Sequence, residues 1–184
     1  MTPRALYGKT GPMTTRIILT VLGSDRPGLT QALAAAVLEA GGNWLESHLS
    51  HLGGKFVGSV LADVPQGKLA ALEQAVRRVD ASGLQVSIVF AGEETPAMGR
   101  TLSIELVGQD RPGIVREVTG VLAELDANIE DFSSATESEA WSGGLLFKAK
   151  AHITLPEGLT AERVQEALEA ISGEIMVDFS FDAG

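Results

Sequence analysis

Two hexapeptides carry residue types that could hold a small charged molecule: Gly23-Ser24-Asp25-Arg26-Pro27-Gly28 and Gly108-Gln109-Asp110-Arg111-Pro112-Gly113. Each follows an apolar run, 17–22 or 102–107. Each precedes apolar residues at helical spacing: Leu29, Leu33 and Val37 in the first, Ile114, Val118, Val121, Leu122 and Leu125 in the second. The hexapeptide is therefore a strand-to-helix turn. The start of the helix offers unpaired N–H groups and a positive dipole end, a seat for a carboxylate. Asp25 or Asp110, with an asparagine that opens the next strand, Asn43 or Asn128, supplies oxygens for an ammonium group. Carboxylate and ammonium are the two charges of a free amino acid. Gly28 and Gly113 leave little room for a large side chain beside them, so a small amino acid is expected.

A purely structural role accounts for many of the same residues. Gly23 and Gly108 can open the turn and Asp25 and Asp110 can cap the helix. Pro27 and Pro112 suit the first turn, where a missing N–H leaves nothing unpaired. Arg26 and Arg111 fit less easily, because neither a turn nor a cap asks for arginine, although an acidic surface can hold one in an ordinary ion pair.

Other clusters carry less. His48 and His51 are three residues apart in a strand, on opposite faces, and His152 lies in the other copy, so no metal site is expected. Asp131, Glu137 and Glu139 read as a solvated hairpin rim. The nucleophile-elbow, P-loop and dinucleotide-binding patterns are missing from the sequence, and no cofactor is expected.

The elements that must position the turns also come twice. Around the first lie a strand at 16–22, a helix at 28–40 stopped by Gly41-Gly42, strands at 43–52 and 55–64, a helix at 66–82 and a strand at 84–90. Around the second lie a strand at 101–107, a helix at 113–126, strands at 128–136 and 145–155, a helix at 160–172 and a strand at 174–181. The turns and the asparagines keep one offset of 85 residues, whereas Pro65 and Pro156 are 91 apart, which places a six-residue insertion near 136–144, around Trp141. The order is βαββαβ, twice, with a polar linker at 92–100 and a leader of unknown role at 1–14, within which Met13 is a candidate start. Such a unit closes as a four-stranded antiparallel sheet with both helices on one face, an α+β, ferredoxin-like module. The expected modules are 15–91 and 101–182.

With 184 residues, 45% hydrophobic and 21% charged, the chain can support two modest cores. Its formal charge of −10 repels phosphate backbones and anionic lipid. It has no cysteine, hence no disulfide framework, and no apolar run near the roughly 20 residues that span a bilayer.

The strand–Gly-x-Asp-Arg-Pro-Gly–helix pattern, followed by Gly42-Asn43-Trp44-Leu45-Glu46-Ser47 or Ala127-Asn128-Ile129-Glu130-Asp131-Phe132, resembles the ACT domain, a small βαββαβ module that binds amino acids and regulates. The tandem arrangement over 15–182, with residues 47–56 in the first copy and a longer hairpin in the second, is similar to the glycine cleavage system transcriptional repressor group. Related modules also open formyltetrahydrofolate deformylases.

The resemblance implies a ligand between two modules, touching the turn of one and the first asparagine of strand two. The matching residues are Asp25, Arg26, Gly28 and Asn43, then Asp110, Arg111, Gly113 and Asn128. It implies a cytoplasmic, non-enzymatic regulator that senses glycine or a similar small amino acid and forms a homodimer. Its partner would be a transcription factor, with no direct contact to nucleic acid or membrane. The alternatives are an orphan module related to the deformylase front domain, or a purely structural, protein-binding pair. An RNA-binding role, which the βαββαβ order also permits, needs stacked aromatics on the sheet, and the third strand of the first copy has only Phe56.

Overall fold

The computed structural model describes residues 13–81, 83–93, 99–138, 144–171 and 175–181. Residues 1–12 of the leader, 94–98 of the linker, and Glu139 and Trp141 of the insertion lie outside that set. The chain divides into two compact units, Met1–Glu94 and Thr95–Gly184.

In the first unit, β1 (Thr14–Ser24), α1 (Leu29–Glu39), β2 (Asn43–Leu52), β3 (Lys55–Pro65), α2 (Leu69–Asp80) and β4 (Leu84–Phe90) follow in order, with one 3₁₀ turn, Gln66–Lys68, before α2. In the second they are β5 (Arg100–Gln109), α3 (Ile114–Glu124), β6 (Asn128–Ser138), β7 (Leu145–Leu155), α4 (Ala161–Glu169) and β8 (Met176–Phe181). The strand orders are β2-β3-β1-β4 and β6-β7-β5-β8, antiparallel throughout. This is the expected pair of ferredoxin-like modules.

Alternation along the central strands sets the faces. In β1, Ile17, Leu19 and Val21 are buried toward the helices, while Arg16, Thr20 and Leu22 are exposed. They meet Leu29, Leu33, Ala36 and Val37 of α1 and Leu72, Ala75, Val76 and Val79 of α2. In the second module Leu102, Ile104 and Leu106 meet Ile114, Val118 and Leu122 of α3 and Ala161, Val164 and Leu168 of α4. Both helices of each module thus cover one face and leave the other open.

The open faces differ in chemistry. On the first sheet Ile18, Leu61 and Val89 form one row and Leu22 and Val57 another, with Thr20, Ser59 and Ser87 between them and the Arg16–Asp63 ion pair beyond; Leu22 and Val89 are about half exposed. On the second, Lys150 Nζ donates to Glu105 Oε1 at 2.5 Å and Lys148 Nζ to Glu137 Oε2 at 2.7 Å.

Helix α1 ends as its glycines predict. Gly41, at φ 71°, donates to the Leu38 carbonyl, and Gly42 donates to that of Val37. Helix α3 closes with the same pair of bonds, from Asp126 to Ala123 and from Ala127 to Leu122, but with Asp126 at φ 54° in the glycine's place. A bulge at matching positions was not anticipated: the pairing of β2 with β3 slips between Trp44 and Glu46, and that of β6 with β7 between Ile129 and Asp131. The extra residues are Leu45 and Glu130. Beyond the bulge Glu46, His48 and Ser50 do share a face, with His51 on the other.

Candidate functional site

The two turns end in the same cap geometry. Gly28 (φ 91°, ψ 0°) and Gly113 (φ 93°, ψ −6°) stand at the N-caps of α1 and α3, in the left-handed region, where a side chain would be strained. Their carbonyls accept the first helical bonds, from the Ala32 N–H at 2.9 Å and the Glu117 N–H at 3.0 Å.

Three expectations about the turn need correction. No side chain caps either helix, so Asp25 and Asp110 are not the N-caps; the left-handed glycine takes that position, which no side chain can then serve. Gly23 and Gly108 lie within β1 and β5 and do not open the turn. A Cβ on Gly23 would come within 2.6 Å of the Gly83 carbonyl oxygen, so this glycine admits the start of β4. Space beside the cap glycines is also not restricted. A Cβ on Gly28 would meet nothing within 4 Å, and one on Gly113 only Glu117 Oε1, at 3.9 Å. These glycines serve backbone conformation, and the steric argument for a small ligand falls away.

The register settles which residues a single module brings together. Asn43 pairs with Asp63, which pairs with Arg16 near the start of β1, whereas the turn follows Ser24, paired with Lys55. Eight residues of β3 separate the two levels, about 26 Å at the usual rise. Asn128, opposite Thr154, is equally far from the turn after Gln109, opposite Leu146. Within one module a small ligand cannot touch both turn and asparagine; a shared ligand requires the two from different modules.

The copies differ in what occupies the matching groups. Arg26 and Asn43 are exposed, and neither side chain has a hydrogen-bond or ion-pair partner among the described residues. Lys55, beside the first turn, donates to Ser24 Oγ at 3.3 Å and has no carboxylate partner among them. In the second copy Arg111 Nη1 donates to Glu117 Oε1 at 2.9 Å and Nη2 donates to Oε2, a two-pronged pair. Asn128 Nδ2 donates to Glu130 Oε1 at 2.7 Å, and that oxygen also accepts from the buried Thr154 hydroxyl at 2.9 Å. Sequence reading missed Glu117 and Glu130. The signal was available: the copy-one counterparts, Ala32 and Leu45, carry no charge.

The hydrogen bonds from Arg111 hold the Glu117 carboxyl below its ordinary 4.5; partial burial opposes this, and the charges of Arg111 and Arg116 add to it. A depressed folded-state value makes the pair stabilising above the unfolded value and removes that contribution as pH falls through the folded one. Glu117→Gln should therefore lower the melting temperature slightly at neutral pH, and the gap to wild type should close well below pH 4.5. A pH-independent gap in thermal unfolding would refute the pairing.

Two clefts adjoin the second turn. One, of about 310 Å³, lies between Asp110, Arg111 and Gly113 and Ser134, Ala135 and Thr136 of β6. The other, of about 870 Å³, runs past Arg111, Glu117 and Glu124 along α3. A cleft of about 620 Å³ beside Ser24, Lys55 and Gln85 adjoins the first turn. No cluster of His, Cys, Asp or Glu among the described residues could hold a metal ion. Phe56 packs against the core of its module and Phe147 is buried in the other, so neither serves as a base-stacking platform.

Fold and turns together define a pair of small regulatory modules, and the chain belongs to the ACT domain family, two of whose profiles match it, one over residues 15–90 and the other over 102–172. It is 22% identical over 166 residues to the glycine cleavage system transcriptional repressor of Escherichia coli, covering 86% of this chain and 85% of that protein. A crystal structure of a protein of unknown function from Galdieria sulphuraria matches with a TM-score of 0.79 and 27% identity, over 93% of this chain and all (100%) of that one. A crystal structure assigned to the glycine cleavage system transcriptional repressors matches at 0.68 with 18% identity, over 92% and 99% of the two chains, a likeness of fold. The chain is thus a tandem ACT-domain protein of regulatory type resembling that repressor. No described helix is long and apolar enough to cross a membrane.

Proposed function

We propose that the chain is a non-enzymatic, amino-acid-sensing regulator that acts on transcription or metabolism through contact with another protein, and that module 1 receives the ligand. The observation that carries this reading is the contrast between copies: Arg26 and Asn43 stand without partners among the described residues, while Arg111 and Asn128 are engaged inside their own module. Arg26 and the uncapped start of α1 attract a carboxylate; Asp25 beside them suits an ammonium. Asn43, at the far end of the same sheet, joins such a ligand only from module 1 of a second copy. The E. coli relative is named a glycine cleavage repressor, which supports glycine or a similar small amino acid as effector and a transcription factor as partner. The charge of −10 argues for an indirect effect on nucleic acid. The two apolar rows on the open face of the first sheet support action by protein contact. A homodimer in a cytoplasmic setting completes the proposal, with modules bounded at 15–91 and 101–182.

Calorimetry with glycine, serine and alanine tests it. Arg26→Ala should weaken binding roughly ten- to a hundredfold, the loss of one charge-assisted hydrogen bond at about 1.5–3 kcal/mol. Asn43→Ala should weaken it by a similar factor and Asn128→Ala by less. Equal affinity in all four proteins would remove the site, and no binding by wild type would leave a purely protein-binding pair.

A further inference from the structure

We infer that Glu117 is a built-in substitute for a ligand carboxylate, which keeps the second turn occupied and limits the chain to one amino acid, held at module 1. The inference rests on the reading of the first turn as a ligand seat and adds how the second is regulated.

Five observations converge. The cap glycines share one conformation, at φ 91° and 93°, so the second helix starts as the first does. The cleft of about 870 Å³ that Arg111, Gly113 and Glu117 line together provides room. The arginine at that cleft is already gripped by both oxygens of the Glu117 carboxylate, the geometry in which guanidinium holds a free carboxylate. Glu117 also lies in the first turn of α3, so one side chain answers both attractions, cation and helix start. The equivalent residue in the first copy is Ala32, one methyl group, fixed as equivalent by the same backbone bond to the cap glycine.

A tethered carboxylate competes at an effective concentration in the millimolar range. It weakens a free ligand by a factor of one plus that concentration over its own dissociation constant, about tenfold where the constant is roughly a tenth of the effective concentration.

The test follows amide signals of Gly28 and Gly113 in the full chain as glycine, serine and alanine are added in turn. In wild type Gly28 should respond and Gly113 should not. Glu117→Gln and Glu117→Ala should make Gly113 respond at concentrations at least about tenfold lower than wild type requires. Ala32→Glu should silence Gly28, while the neutral control Ala32→Gln should leave it responsive. Equal response of both glycines in wild type would overturn the inference and leave the amino-acid reading intact. Silence at Gly113 in both Glu117 variants would also overturn it. Silence at Gly28 in wild type, with Gly113 responding once Glu117 is removed, would overturn the reading of module 1 and uphold the role of Glu117.

Discussion

Gly58→Ala should destabilise the first module by about 3 kcal/mol or more, a large share of the roughly 5–15 kcal/mol that holds a domain folded. Gly58 lies in β3, flanked by Val21 of β1 and Leu49 of β2. Its φ of 149° is a conformation side chains rarely adopt, and a Cβ there would fall 1.9 Å from the His48 carbonyl oxygen and 2.9 Å from the Leu49 Cα. Both obstacles are backbone atoms of the neighbouring strand, so no rotamer change relieves the overlap; β2 has to move away from β3. The corresponding residue of the second module is Ala149, which pairs with Leu106 and Ser134 and carries its Cβ without displacing the ladder. Amide exchange in β2 and β3 of the variant should accelerate strongly. Exchange within about tenfold of wild type would refute the close approach.

Leu122→Ala should cost about 2–5 kcal/mol in the second module. Leu122 is fully buried in α3, among Leu102, Ile104, Val118 and Leu168. Removing it leaves a cavity lined by branched side chains on a sheet and two helices, which can collapse only in part. Leu38→Ala, at a position 75% exposed on α1, is the control and should change stability by less than about 0.5 kcal/mol. Urea unfolding of both variants decides: similar midpoints would mean that α3 does not present this face to its sheet.

The architecture was legible because apolar periodicity and turn chemistry agreed twice at one spacing. Gly41-Gly42 predicted the end of α1, and the alternation in β1 predicted its buried face. Apolar spacing marked the inner side of α3, where Val121 and Leu125 pack partly buried beside the core. The bulges at Leu45 and Glu130 left no trace in composition, because one unpaired residue changes neither propensity nor length noticeably. Asp126 was hidden because a left-handed residue is anticipated where glycine stands, and aspartate tolerates that region less obviously. At the candidate site the residue types were visible, but their grouping was not. An asparagine and a turn that recur at one offset look like one site until the strand register puts them at opposite ends of the sheet. The occupancy of Arg111 required comparing the copies for what differs, Glu117 against Ala32, rather than for what repeats.

The unlike open faces of the two sheets make ionic strength a diagnostic. Mobile ions screen the Lys150–Glu105 and Lys148–Glu137 pairs and any charged partner that replaces them, since exposed charges lose most of their reach beyond about 10 Å at 0.1 M salt. The rows of Ile18, Leu61 and Val89 and of Leu22 and Val57 respond in the opposite sense, because salts such as sulfate are excluded from protein surface and favour apolar association. A complex that tightens as sulfate is added therefore rests on apolar rows such as those of the first sheet, whereas one that dissolves as sodium chloride is added rests on ion pairs, which both faces carry.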